Sequence, residues 1–161
     1  MNRTVPKPRP PLLVLIPPPV LFVTCFAAGL VLDHLLPWSP GWMHGAAARW
    51  VGWLLLGGGG GLAFVSIGLL HARRTTVVPA RQPVRLLTDG PFALSRNPIY
   101  IAVSGAYCGF ALLAARAWPL LLLLGPLAVL RAIVVPFEER RLRETFGDDY
   151  AAYCRRVRRW I

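Results

Sequence analysis

The sequence predicts an all-α integral membrane protein of about four transmembrane helices, with a tight C-terminal helical hairpin and a cytoplasmic amphipathic tail helix. Three observations predict it. Of the 161 residues, 55% are hydrophobic, which leaves too little polar surface to clothe a water-soluble domain of this size. The apolar residues gather into runs long enough to supply the roughly 20 helical residues that a hydrocarbon core demands. After the last run the chain turns arginine-rich, with apolar residues recurring at spacings of three and four. Residues 1–161 read as a single membrane-embedded domain.

The first span, residues 12–36, is the least regular. Pro17, Pro18 and Pro19 remove backbone donors, so its continuous helical part is expected after Pro19. A basic N-terminus before an apolar run resembles a signal peptide, yet the prolines interrupt the run and it continues to Leu36, so a retained anchor is expected. The second span, residues 46–70, carries the run Gly57 to Gly61. In lipid such a run offers a smooth face for helix packing, with Gly57 and Gly61 in small-xxx-small register. Only Arg116 and its neighbours separate the third span, residues 98–115, from the fourth, residues 117–136, which requires a tight antiparallel hairpin. In the tail, residues 137–161, Leu142, Phe146, Tyr150, Tyr153, Cys154, Val157 and Ile161 form an apolar stripe that suits a helix lying on anionic lipid. Gly147 and Asp148 are placed to divide that helix, the aspartate as a cap for its second part.

A net charge of +11 would suggest nucleic-acid binding in a soluble protein. Here the charge lies between apolar runs, which favours a membrane explanation. Arg3, Lys7 and Arg9 precede the first span. Arg73, Arg74, Arg81, Arg85 and Arg96 occupy the central loop, and Arg140, Arg141, Arg143, Arg155, Arg156, Arg158 and Arg159 follow the fourth span. All basic residues except Arg49, Arg116 and Arg131 therefore fall on one side, and the positive-inside rule places both termini and the central loop in the cytoplasm. Cys25, Cys108 and Cys154 lie far apart without metal-site spacing, so no metal is expected.

The seven acidic residues are informative because, Asp33 apart, all lie in the central loop or the tail. Glu138 and Glu139 stand just beyond the fourth span, where adjacent carboxylates must find cationic partners or a polar ligand. The central loop ends in Asp89, Gly90, Pro91, then Arg96, Asn97, Pro98 and Tyr100. Gly90 and Pro91 suit a turn, and Pro98 suits a helix start, so the loop delivers Arg96, Asn97 and Tyr100 to the mouth of the third span. Free amides at that helix start could receive a carboxylate.

The stretch from Leu87 to Tyr100, the short hairpin, Glu138 with Glu139, and the ending from Phe146 through Tyr150, Tyr153 and Arg159 to Ile161 together resemble the isoprenylcysteine carboxyl methyltransferase family and its phospholipid methyltransferase relatives. Thr75, Thr76, Val77 and Pro79 are similar to a threonine-containing stretch of small bacterial members. The resemblance implies a bacterial inner-membrane enzyme with an S-adenosylmethionine site formed by Gly90, Pro91, Arg96, Asn97, Tyr100, Glu138 and Glu139. Two positions depart from the family pattern: Asn97 stands for the usual histidine, and Ala102 for a residue that is often glycine. Asparagine donates and accepts hydrogen bonds but cannot serve as a base.

The residue types suit the implied cofactor. Arg96 and helix-start amides match its carboxylate, the glutamates match its ammonium, and Tyr100 offers aromatic surface to a sulfonium. Methyl transfer to a lipophilic small molecule or lipid would then depend mostly on alignment and water exclusion. A carboxylate acceptor needs no general base, whereas an amine must first lose a proton, so carboxyl O-methylation is slightly preferred over phospholipid N-methylation. Arg131 within the fourth span and Arg141 after the glutamates are candidates for holding an anionic substrate group. Competing expectations are a non-catalytic protein that binds lipid or a partner, and a reductase, although no dinucleotide glycine fingerprint is present.

Overall fold

The computed structural model describes residues 14, 16–73 and 85–161. The stretch Thr75 to Pro79, the basic residues Arg3, Lys7, Arg9, Arg74 and Arg81, and the beginning of the first span lie outside the described residues. Those described are helical, with no strand among them. Helix α1 spans Pro18–Leu35, and a 3-10 turn at Gly41–His44 leads into α2, Ala46–Ala72. A second 3-10 turn at Gly90–Ala93 precedes α3, Pro98–Leu113. Then α4 (Ala117–Leu122), α5 (Leu124–Val129), a π turn (Leu130–Val134) and α6 (Val135–Arg156) follow one another end to end.

Helices α1, α2 and the column from Ala117 to Arg156 are each long and apolar enough to cross a membrane. With 16 residues, α3 is shorter, about 24 Å against a hydrocarbon core of about 30 Å.

The column runs helical through Pro136, the boundary expected between the fourth span and the tail helix. Prolines shape it. Pro126 cannot donate to the carbonyl of Leu122, and there α4 gives way to α5; Pro136 cannot donate to Ala132, and the wide π turn just before it absorbs the misfit. The true break comes at Gly147, whose φ of 49° and ψ of −118° suit glycine alone. The sequence expectation of a division there is met.

One expectation is corrected at the glycine run. A Cβ on Gly59 would lie 2.6 Å from the Ala102 carbonyl oxygen, and one on Gly109 would lie 2.7 Å from that of Gly52. The seam between α2 and α3 therefore runs through Gly52, Gly59 and buried Ser66, at every seventh residue. Cβ atoms on Gly57 and Gly61 would meet nothing within 4 Å. Two residues either side of Gly59, at about 100° per residue, they face away from the seam.

Helix α1 closes on the fourth span through Gly29, where a Cβ would stand 2.8 Å from Pro119 Cα. Phe22 of α1, Tyr107 of α3, and Leu123, Leu130 and Val134 of the column form the central core, with Phe26 edge-on to Tyr107 at 5.0 Å. The hairpin turn joining α3 to α4 is three residues, with Ala115 at φ 51° and Arg116 N–H bonded to the Ala111 carbonyl at 3.1 Å. At this end buried Asp33 pairs with Arg116, and Trp118 Nε1 donates to the Leu36 carbonyl at 2.7 Å. Pairing is what makes a buried carboxylate tolerable here.

At the opposite end the tail stripe does not rest wholly on lipid. Tyr150, Tyr153 and Val157 are buried together, with Leu86, Leu142, Phe146 and Cys154 packed against them. Ile161, 86% exposed, leaves the stripe.

Candidate functional site

The site is assembled at the end of the bundle where α3 begins and α6 emerges. Its first part is a tight turn. Gly90 adopts φ +56°, a left-handed conformation that glycine takes without strain. The Pro91 carbonyl then accepts from both Leu94 N and Ser95 N at 3.2 Å. Tyr153 of the tail locks the turn by donating its hydroxyl to the Phe92 carbonyl at 2.6 Å.

Beyond Arg156 the chain becomes extended, with Val157 at φ −122°, ψ 130°, and doubles back along the loop as a strap. Arg96 N donates to the Arg158 carbonyl at 3.0 Å. Asn97 Nδ2 and Ser95 Oγ both donate to the Arg159 carbonyl, at 2.8 and 3.3 Å. Buried Asn97, at the N-terminal boundary of α3, thus holds the strap instead of capping its own helix. Pro98 follows at the first helical position, where its missing donor costs nothing.

Glu138 and Glu139 are adjacent on α6 and so point about 100° apart. Glu138 faces α3 and accepts from Tyr100 Oη at 2.7 Å. Glu139, only 6% exposed, faces the loop and the strap. Arg159 binds it bidentately, Nε to Oε1 at 2.9 Å and Nη2 to Oε2 at 2.7 Å, the fork geometry that makes such pairs strong. Arg96 Nη1 stands 3.3 Å from Glu139 Oε1 and also touches Cys154 Sγ. Burial holds the Glu138 carboxyl above the ordinary carboxylate range; the Tyr100 hydrogen bond partly opposes this and the neighbouring Glu139 charge adds to it.

Of the residues expected from sequence, Arg96, Asn97, Tyr100, Glu138 and Glu139 thus meet in one cluster, with Gly90 and Pro91 shaping the turn beside it. Arg131 lies on the exposed side of the π turn, outside this cluster. Arg141 stacks over Phe137, 5.4 Å from its ring centre. The strap contacts, and Arg159 above all, were missed by sequence reasoning. In the sequence Arg159 is one arginine among several, and nothing distinguishes the one that turns inward.

Fold and cluster define a helical membrane protein that crosses the bilayer several times and gathers a compact polar cluster at one end of its bundle. The phospholipid methyltransferase family (PEMT) matches residues 47–149, from the glycine seam through both glutamates. The chain belongs to that family, a family of membrane methyltransferases. No curated protein and no solved structure shows significant similarity to the chain.

Proposed function

We propose that the chain transfers a methyl group from S-adenosylmethionine to a lipophilic acceptor that enters sideways from the bilayer. The observation that carries this is the meeting of the Arg96 to Tyr100 turn with the Glu138, Glu139 pair in one cluster. The cluster fits the cofactor in a specific respect: Arg96 Nε is buried and has no hydrogen-bond partner among the described residues. Such a donor is costly unless an acceptor reaches it, and an amino-acid carboxylate is a suitable one. Arg96 and the start of α3 would hold the cofactor's carboxylate, and the glutamate pair its cationic side, with Tyr100 fixing the carboxylate nearer to α3. When bound, the cofactor supplies an electrophilic methyl group on a good leaving group.

The protein's contribution is then alignment and exclusion of water, worth several powers of ten when the reacting atoms are well placed. Carboxyl O-methylation needs no base and remains slightly preferred on that ground. Phospholipid N-methylation is the second reading, favoured by the family match and by the raised proton affinity of Glu138, which suits it to receive an ammonium proton. Arg131, on the exposed side of the π turn, and Arg141 are the side chains to meet an anionic group of the acceptor. In this reading residues 1–161 form one domain, both termini lie in the cytoplasm where the cofactor is kept, and the membrane is the bacterial inner membrane.

Purified protein in nanodiscs, given methyl-tritiated S-adenosylmethionine and lipid extract, tests the class directly. Label is expected in an organic-extractable product, and its stability to base separates an ester from an amine. Absence of cofactor binding by the folded protein removes the whole reading.

A further inference from the structure

We infer that Arg159 is a positioning residue that commits Glu139 to the protein's own framework, and so leaves Glu138 as the carboxylate that meets a ligand's cation. This rests on the reading above and divides the glutamate pair by role. Arg159 lies outside residues 47–149, the part that matches the family.

The division follows from how the charges are spent. Glu139 is buried and both its oxygens are taken, by the Arg159 fork and by Arg96. A buried carboxylate so held spends its charge on two guanidiniums of the protein rather than on a ligand. Glu138 makes no ion pair among the described residues; its Oε1 accepts one neutral hydrogen bond, from Tyr100. Two glutamates and two arginines are balanced overall, yet both arginines sit on one glutamate. The remaining carboxylate, half-buried at the membrane boundary, attracts a cation from outside. The Asn97 and Ser95 contacts to the Arg159 carbonyl fix the strap from which the guanidinium projects.

The ligand chemistry is therefore cationic, and it has three possible sources: the cofactor sulfonium, the cofactor ammonium, or the amine of the acceptor. Dissociation constants of S-adenosylmethionine and S-adenosylhomocysteine, measured calorimetrically on the full chain in nanodiscs, distinguish them. Glu138→Gln is expected to lose about 10-fold or more in one contact, as for a hydrogen bond to a charged group. Loss for S-adenosylmethionine alone assigns the sulfonium. Equal loss for both assigns the ammonium. No loss for either, but a raised KM with phosphatidylethanolamine vesicles, assigns the acceptor amine.

Arg159 is tested by a double-mutant cycle. Glu139→Gln leaves Arg159 unpaired near the ligand's cation, so removing it as well relieves repulsion. Glu139→Gln with Arg159→Gln is expected to weaken S-adenosylmethionine binding about 10-fold less than the product of the single effects, whereas Glu138→Gln with Arg159→Gln combines multiplicatively within about 3-fold. Arg159→Lys, which keeps the charge, is expected to retain most of the affinity and guards against a merely misfolded Arg159→Gln. The inference is overturned if Glu138→Gln leaves both affinities and the acceptor KM unchanged, or if Arg159 couples to Glu138 and not to Glu139. Wild-type protein that binds neither compound instead refutes the cofactor reading, a separate result.

Discussion

Replacing Gly59 by alanine tests whether the close seam between α2 and α3 holds the site's first element in place. The new methyl would lie 2.6 Å from the Ala102 carbonyl oxygen and 2.8 Å from Ala106 N, both backbone atoms that cannot rotate aside. Contacts of this kind relax near 3.5 Å, so the helices must part by something on the order of 1 Å. Overpacking of that degree costs about 1–3 kcal/mol. Gly60→Ala is the control, because its Cβ meets nothing within 4 Å. There the expected change is about 0.5 kcal/mol or less, and higher helix propensity can make it slightly stabilising. The assay is thermal unfolding of both variants in one detergent, where each kcal/mol shifts Tm by about 2–4 °C for a chain of this size. Gly59→Ala should melt several degrees below Gly60→Ala and should bind S-adenosylmethionine more weakly, because α3 carries Tyr100. Equal melting temperatures, or a lower one for Gly60→Ala, refute the seam and with it the reason α3 stands where it does.

Four further outcomes are expected. Cofactor affinity should fall as pH drops through the raised Glu138 value, at higher pH than an exposed carboxylate would show, since only the ionised group attracts a cation; Glu138→Gln should flatten that limb in a binding titration. The sign reverses for stability: folding raises this group's proton affinity, so unliganded protein loses part of its stability as pH rises from the ordinary carboxylate range through the raised value, seen as a falling Tm that bound cofactor restores. Gly90→Val should cost about 1–2 kcal/mol because of the left-handed backbone at φ +56°, and it should raise the cofactor Kd more than Gly57→Val, which meets open space. Arg116→Gln should strand buried Asp33 at the far end of the bundle, lowering Tm by several degrees, at about 3–5 kcal/mol for a buried carboxylate left without its partner, with cofactor affinity nearly unchanged.

Much of this arrangement was legible because lipid imposes few solutions. Long apolar runs had to be helices, and Arg116 with its neighbours left too little chain for anything but a hairpin. That hairpin in turn made neighbours of the Arg96 to Tyr100 turn and the paired glutamates, as found. What escaped was rotational detail. Gly57 and Gly61 have the spacing of a contact motif, but spacing does not say which face of α2 meets α3, and Gly59 does so instead. The tail's apolar stripe was evident, whereas its cover, Leu86 and the turn at Phe92, comes from a distant stretch with no periodicity of its own. Arg159 was invisible for a similar reason: its partner lies twenty positions back, and only the strap's extended path brings them together.

The π turn at Leu130–Val134 has a consequence for where the glutamates point. A wide turn of this kind accommodates one extra residue in the helix, and one residue is worth about 100° of rotation. Everything beyond it, Glu138 and Glu139 included, is dialled around the column axis relative to the face set by Leu123 and Pro126. Winding Leu130–Val134 as ordinary α-helix with all five residues kept would swing both carboxylates by about 100°, out of reach of Tyr100 and Arg96, whereas excising one residue would remove the surplus and keep their aim. The aim of this pair is therefore set by one surplus residue taken up in the helix beneath it.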